Sequence, residues 1–93
     1  MFSRWCQLWR RTRVQARVVV YTRANCPLCD EAAEFLDEEQ RHRGFQLEYR
    51  DIANDAELTR QHVDSIPVVE VNGMVRFRGR INPVLWKRLM RKI

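Results

Sequence analysis

The spacing of apolar positions changes several times along the 93 residues, and each change marks an element. Residues 18–22, Val-Val-Val-Tyr-Thr, form an unbroken β-branched and aromatic run, the pattern of a strand buried on both faces. From residue 27 to about residue 43 the period lengthens: Leu28, Ala32, Phe35 and Leu36 share one helical face. Asp30, Glu31 and Glu34 crowd the start of that helix and Arg41, His42 and Arg43 its end, the order that the helix dipole favours. Gly44 suits its stop. Residues 45–51 alternate, with Phe45, Leu47 and Tyr49 on one face, which predicts a half-exposed strand. The intervening helix makes this strand parallel to the first, through a right-handed crossover. Asn54 or Asp55 caps a short helix reaching about Val63. Residues 67–71 and 74–77 read as strands joined by Asn72 and Gly73, a two-residue hairpin signal. Asn82 caps a last helix with Pro83 at its first position. Its stripe is Val84, Leu85, Leu89 and Ile93, widened by Trp86 and Met90. The order β-α-β-α-β-β-α predicts an α/β chain with a mixed sheet covered by helices.

Length argues for one domain, residues 17–93, preceded by a basic extension of residues 1–16. No apolar run approaches the roughly 18 residues of a membrane span, and no secretory signal is evident, so the expectation is a cytoplasmic chain. The net charge of +5 is unevenly spread. Residues 1–17 hold five arginines and no acid, residues 18–64 five basic and eleven acidic groups, and residues 65–93 seven basic groups and one acid. This segregation is unlike a single basic face for nucleic acid. In the extension, Phe2, Trp5, Cys6 and Trp9 fall near helical spacing among arginines. Three readings stand: a disordered tail, an amphipathic helix touching an acidic membrane, or an organelle-targeting segment.

The chain has three cysteines, an odd number for a disulfide-built scaffold. Cys26 and Cys29 form a CxxC pair at a strand-to-helix junction, which points to redox or metal chemistry. At the helix start, unpaired N–H groups and the dipole favour a thiolate on Cys26, and Pro27 costs little there. Arg23 adds positive charge, while Asp30 and Glu31 oppose it. Cys26 thus reads as an exposed nucleophile and Cys29, one turn on, as a resolving thiol. Structural zinc needs about four ligands, and the spare candidates Cys6, His42 and His62 are scattered, so no metal held by one chain is expected. His42 and His62 read as surface helix residues. Cys6 reads as a bystander or as a thiol that pairs between chains. Pro67 is the ordinary first residue of a strand or, if cis, a deliberate feature beside the cysteines.

Thr22-Arg23-Ala24-Asn25-Cys26-Pro27-Leu28-Cys29, then Ser65-Ile66-Pro67-Val68-Val69, then the Asn72-Gly73 hairpin and last helix resemble the glutaredoxin branch of the thioredoxin-fold family over residues 17–92. The resemblance implies a thioredoxin-like (glutaredoxin-type) fold, a four-stranded mixed sheet flanked by helices. It implies a nucleophilic Cys26, a resolving Cys29, a thiolate-stabilising Arg23, a cis Pro67, and backbone pairing of substrate at Ile66. Function is then thiol–disulfide exchange on disulfide-containing or glutathionylated proteins by a monomer, with no bound cofactor and glutathione as a reductant. Two departures stand out. Leu28 replaces the family's usual Tyr, and Phe77-Arg78-Gly79-Arg80-Ile81-Asn82-Pro83 keeps one glycine where a Gly-Gly pair grips glutathione. Arg78 and Arg80 are either carboxylate holders or solvated charges. Two alternatives therefore stand beside the first: a thioredoxin-like reductase independent of glutathione, and a non-catalytic binding module or carrier of a shared metal or iron–sulfur cluster.

Overall fold

A computed structural model describes residues 15–93. The readings made for Cys6 and for most of the extension lie outside the described residues. Strand β1 (Arg17–Thr22) leads into helix α1 (Pro27–Arg43), strand β2 (Gln46–Asp51), a single 3-10 turn (Ile52–Asn54) and helix α2 (Ala56–His62). Strands β3 (Val68–Val71) and β4 (Met74–Arg78) and helix α3 (Pro83–Lys92) complete the chain. The sheet order is β2-β1-β3-β4. β1 pairs parallel with β2 and antiparallel with β3, and β4 pairs antiparallel with β3. The unbroken apolar run of β1 is explained by its central place, since both of its faces are covered. No helix among the described residues is long and apolar enough to cross a membrane.

Local chemistry accounts for the ends of these elements. Gly44 is left-handed at φ 76° and donates its N–H to the Gln40 carbonyl at 2.8 Å, closing α1. Asp55 caps α2 by accepting from the Glu57 and Leu58 N–H groups at 2.9 and 3.1 Å. The 3-10 turn before it, absent from the sequence reading, is capped by Asp51, whose Oδ1 accepts from Ala53 N–H at 2.9 Å. Asn82 caps α3 through Val84 N–H at 2.9 Å and Leu85 N–H at 3.3 Å. In the hairpin, Asn72 and Gly73 have φ 52° and 84°, the positive pair that a two-residue turn requires. Asn72 is also tied to β1: its N–H donates to Arg17 O at 2.9 Å, and its Oδ1 accepts from Arg17 N–H at 3.0 Å.

The sheet separates two apolar clusters. On one face Val18, Val20, Val69 and Val71 meet Leu36, Phe45, Trp86 and Met90 from the flanking elements. On the other Val19, Tyr21 and Val68 meet Ile52, Ile66, Cys26 and Cys29. The first cluster holds the layers together, and the second contains the thiols.

Helix α3 corrects the sequence reading. Trp86 and Met90, placed at the margin of the stripe, are its buried centre, with Leu89 packed beside them. Val84, Leu85 and Ile93 are 63%, 48% and 41% exposed. Ring size decides the rotation of the helix, because the indole fills the space bounded by three phenylalanines. Its centroid lies 5.4 Å from Phe45, 6.0 Å from Phe35 and 6.2 Å from Phe77, with edge contacts to the first two. The one polar atom of the indole is satisfied: Nε1–H donates to Glu39 Oε1 at 2.7 Å, an oxygen that also accepts from Arg43 Nε at 2.8 Å. Trp86→Ala is expected to cost about 3–5 kcal/mol in urea unfolding, whereas Val84→Ala stays within about 0.5 kcal/mol. Equal effects at the two positions would contradict this packing.

Candidate active site

The segment between β1 and α1 turns sharply at Asn25, which adopts φ 57°, a left-handed conformation that Asn tolerates. The turn delivers Cys26 in extended geometry to the N-cap of α1, with Pro27 following as the first helical residue. The Cys26 sulfur does the work of a capping oxygen, accepting the Cys29 N–H at 3.3 Å. The Cys26 carbonyl accepts the Asp30 N–H at 3.1 Å. Both thiols are free.

Cys26 is only 8% exposed and Cys29 4%. The sequence reading of an openly exposed nucleophile is thereby corrected. Cys26 packs in the cluster of Tyr21, Ile52, Ile66 and Val68, which covers all but a small part of it. The Cys29 thiol is pushed up to about 11. Burial is the main cause, followed by its hydrogen bond with Cys26; the charges of Cys26 and Asp30 push the same way. A hydrogen bond from the Arg23 backbone opposes them. The Arg23 side chain itself is exposed.

The second part of the site is the segment entering β3. The Ile66–Pro67 peptide is cis. Ile66 is 8% exposed and Pro67 fully buried. Gly79, just past β4, donates its N–H to Pro67 O at 2.8 Å and to Ser65 O at 3.1 Å. Gly79 has φ 79° with open space where a Cβ would stand, so glycine is required there by backbone conformation rather than by crowding. Ile66 backbone groups take no part in the loop hydrogen bonds among the described residues. Between α1 and the Gly79 turn lies a cavity of about 150 Å³. Leu28, Phe35 and Ile81 supply its apolar lining, and Glu31 and Arg80 its charges. Arg78 and Arg80 are exposed and form no ion pair among the described residues.

His62 and Tyr21 were not singled out as neighbours by the sequence pattern. His62 is 9% exposed, a correction to its reading as a surface residue. It stands one turn beyond Leu58 and stacks on Tyr21 at 4.8 Å, so the Leu58–His62 spacing was the available signal. Tyr21 donates its hydroxyl to Glu70 Oε2 at 3.1 Å. Burial first, and then Glu70, raises the Tyr21 pKa. Among the described residues no three His, Cys, Asp or Glu side chains gather in a way that would hold a metal ion.

A four-stranded mixed sheet flanked by helices, with a CxxC at the first helix start and a cis proline opening the third strand, defines a thioredoxin-fold protein of the redox type. The chain belongs to the glutaredoxin-like family: the family model Glutaredoxin-like domain (DUF836) matches residues 17–89. It is 32% identical over 65 residues to a Probable Thioredoxin of Methanothermobacter thermautotrophicus, a match covering 67% of this chain and 76% of the relative. A Probable Thioredoxin of Methanothermobacter marburgensis matches with 32% identity over 66 residues, 68% of this chain and 78% of the relative. Among solved structures, a Nitrosomonas europaea protein determined by solution NMR superposes with TM-score 0.71 at 26% identity, covering 82% of this chain and 92% of that one. The oxidised thioredoxin of Plasmodium falciparum gives TM-score 0.59 at 20% identity, covering 97% and 89% of the two chains, and shows the shared fold.

The raised Cys29 thiol sets an expectation for alkylation. With iodoacetamide and peptide-level mass mapping, the Cys29 rate climbs about tenfold per pH unit through pH 10 without levelling, because the thiolate is the reactive form. A plateau near the ordinary thiol value of about 8.5 would contradict the burial of Cys29.

Proposed function

We propose that the chain is a dithiol–disulfide oxidoreductase in which Cys26 attacks and Cys29 resolves. The observation that carries this is the Cys26 sulfur at the N-cap of α1, within hydrogen-bonding distance of Cys29 N–H, beside a buried Cys29 whose thiol is pushed up to about 11. The Cys26 thiolate attacks one sulfur of a substrate disulfide, forming a mixed disulfide and expelling the other sulfur as a thiolate. Cys29 gives up its proton and attacks the Cys26 sulfur. The second substrate thiolate leaves, and a Cys26–Cys29 disulfide remains. Two electrons have passed to the substrate. Two glutathione thiols, or the dithiol of a separate reductase, return them.

The substrates that fit this reading are disulfide-containing proteins, including glutathionylated ones. An extended chain bearing the disulfide lies along Ile66, whose backbone groups take no part in loop hydrogen bonds among the described residues, as strand addition requires. Pro27 stands as the first residue of α1 and Pro67 precedes β3 through a cis peptide, and Arg23, exposed three residues before Cys26, is the positive charge this reading assigns to the site. Recycling by a reductase rather than by glutathione has specific support in the two relatives named as thioredoxins. The lone Gly79 and the apolar lining of the adjoining cavity point the same way.

Cys26→Ser is expected to reduce turnover of an insulin disulfide to background. Cys29→Ser is expected to accumulate a stable Cys26 mixed disulfide, visible by intact mass. Full activity in Cys26→Ser would overturn the assignment. Separate couplings to glutathione with glutathione reductase and to thioredoxin reductase distinguish the recycling routes, with the second expected to support turnover. In a glutathione titration the pair should show one two-electron transition between roughly −200 and −300 mV.

A further inference from the structure

The last part of the chain leaves its charge unneutralised. Residues 71–93 hold seven Lys and Arg and no acid. Among the described residues none of these seven forms an ion pair, whereas five of the six arginines in residues 17–63 do. Three of the unpaired cations, Arg76, Arg88 and Lys92, surround a groove of about 480 Å³ between β4 and α3. Its floor is apolar: Leu85, Leu89 and Ile93, with Phe77 behind them. Leu85 and Ile93 are exposed, 48% and 41%, on the side of α3 that turning Trp86 inward leaves in solvent. An exposed apolar surface with a single-sign rim marks an interaction face.

Charge selects its occupant. A second copy of the chain, docking by the same face, would bring like charges together around a two-fold axis. The chain's own residues 1–17 carry five arginines and no acid. A bilayer takes up apolar side chains that protrude, whereas this surface is concave. We propose that the β4–α3 groove docks an acidic segment of a partner protein. Apolar side chains of that segment cover Leu85, Leu89 and Ile93, and its carboxylates pair with Arg76, Arg88 and Lys92. The groove shares no residue with the thiol site, so a partner held there leaves Cys26 accessible. The proposal stands whether or not the thiols turn over.

The test uses the full chain and a labelled amphipathic peptide with Leu on one face and Glu on the other. Amide chemical shifts are expected to move at Leu85, Arg88, Leu89 and Ile93. Affinity read by anisotropy is expected to fall about tenfold or more in the Arg88→Glu, Lys92→Glu double variant, and to weaken with added salt. Leu85→Ser provides an independent loss that does not alter charge. Both variants should keep the wild-type unfolding midpoint and the turnover of a small disulfide, which separates docking from thiol chemistry. The proposal is overturned if a Lys-for-Glu peptide binds equally well, or if the double variant binds unchanged. It also falls if phosphatidylserine vesicles shift the groove resonances and the peptide does not, if those resonances report self-association, or if deleting residues 1–14 moves them in the free chain.

Discussion

The hydrogen bond between Cys29 N–H and the Cys26 sulfur joins the candidate site of this protein to its fold. Every helix begins with N–H groups that lack partners inside the helix. In α2 and α3 the chain meets that need with Asp55 and Asn82, whose oxygens are strong acceptors. In α1, the longest helix, it uses a sulfur, a weaker acceptor unless it is ionised. The residue that caps α1 is thus also the first cysteine of the CxxC pair. Pro27 lowers the cost by removing one donor from the same turn.

That arrangement requires the start of α1 to be held against the sheet, and the two faces of the sheet divide this task. On one face Trp86 locks α3 between Phe35, Phe45 and Phe77, and its bond to Glu39 fixes α3 to α1. On the other, Val19, Tyr21 and Val68 support Cys26, Cys29 and Ile66. The Gly79 N–H then clips the turn after β4 onto Pro67 and Ser65, so the cysteine segment and the proline segment are placed by one frame. Burial within it pushes the Cys29 thiol up, while Cys26 retains a small opening to solvent.

Charge is divided along the chain in a related way. Four acids of α1, β2 and α2, namely Glu38, Glu39, Glu48 and Glu57, pair with arginines of the same elements or of β1, as in Arg43 with Glu39 and Arg17 with Glu48. Exposed pairs of this kind contribute little to stability, and they occupy most of the arginines of this part of the chain while its acidic excess remains. β4 and α3 have no such partners, so their field is directed outward and is available for recognition.

The sequence by itself determined the elements and their ends. The apolar run of β1, the helical face of α1, the caps Asp55 and Asn82, the stop at Gly44 and the Asn72-Gly73 turn are all readable because each depends on residues within a few positions of one another. The cysteine and proline motifs were each readable as short signatures, while their association came only from the family resemblance. Tertiary structure alone decided which side of α3 faces inward, since Val84, Leu85 and Trp86 all lie on plausible stripes and only the space between three distant phenylalanines selects the indole. It also decided that His62 is buried on Tyr21, that Cys26 is largely covered, and that Gly79 binds the proline segment. Each of these is set by a partner remote along the chain, and spacing within one element carries no information about what that element will meet.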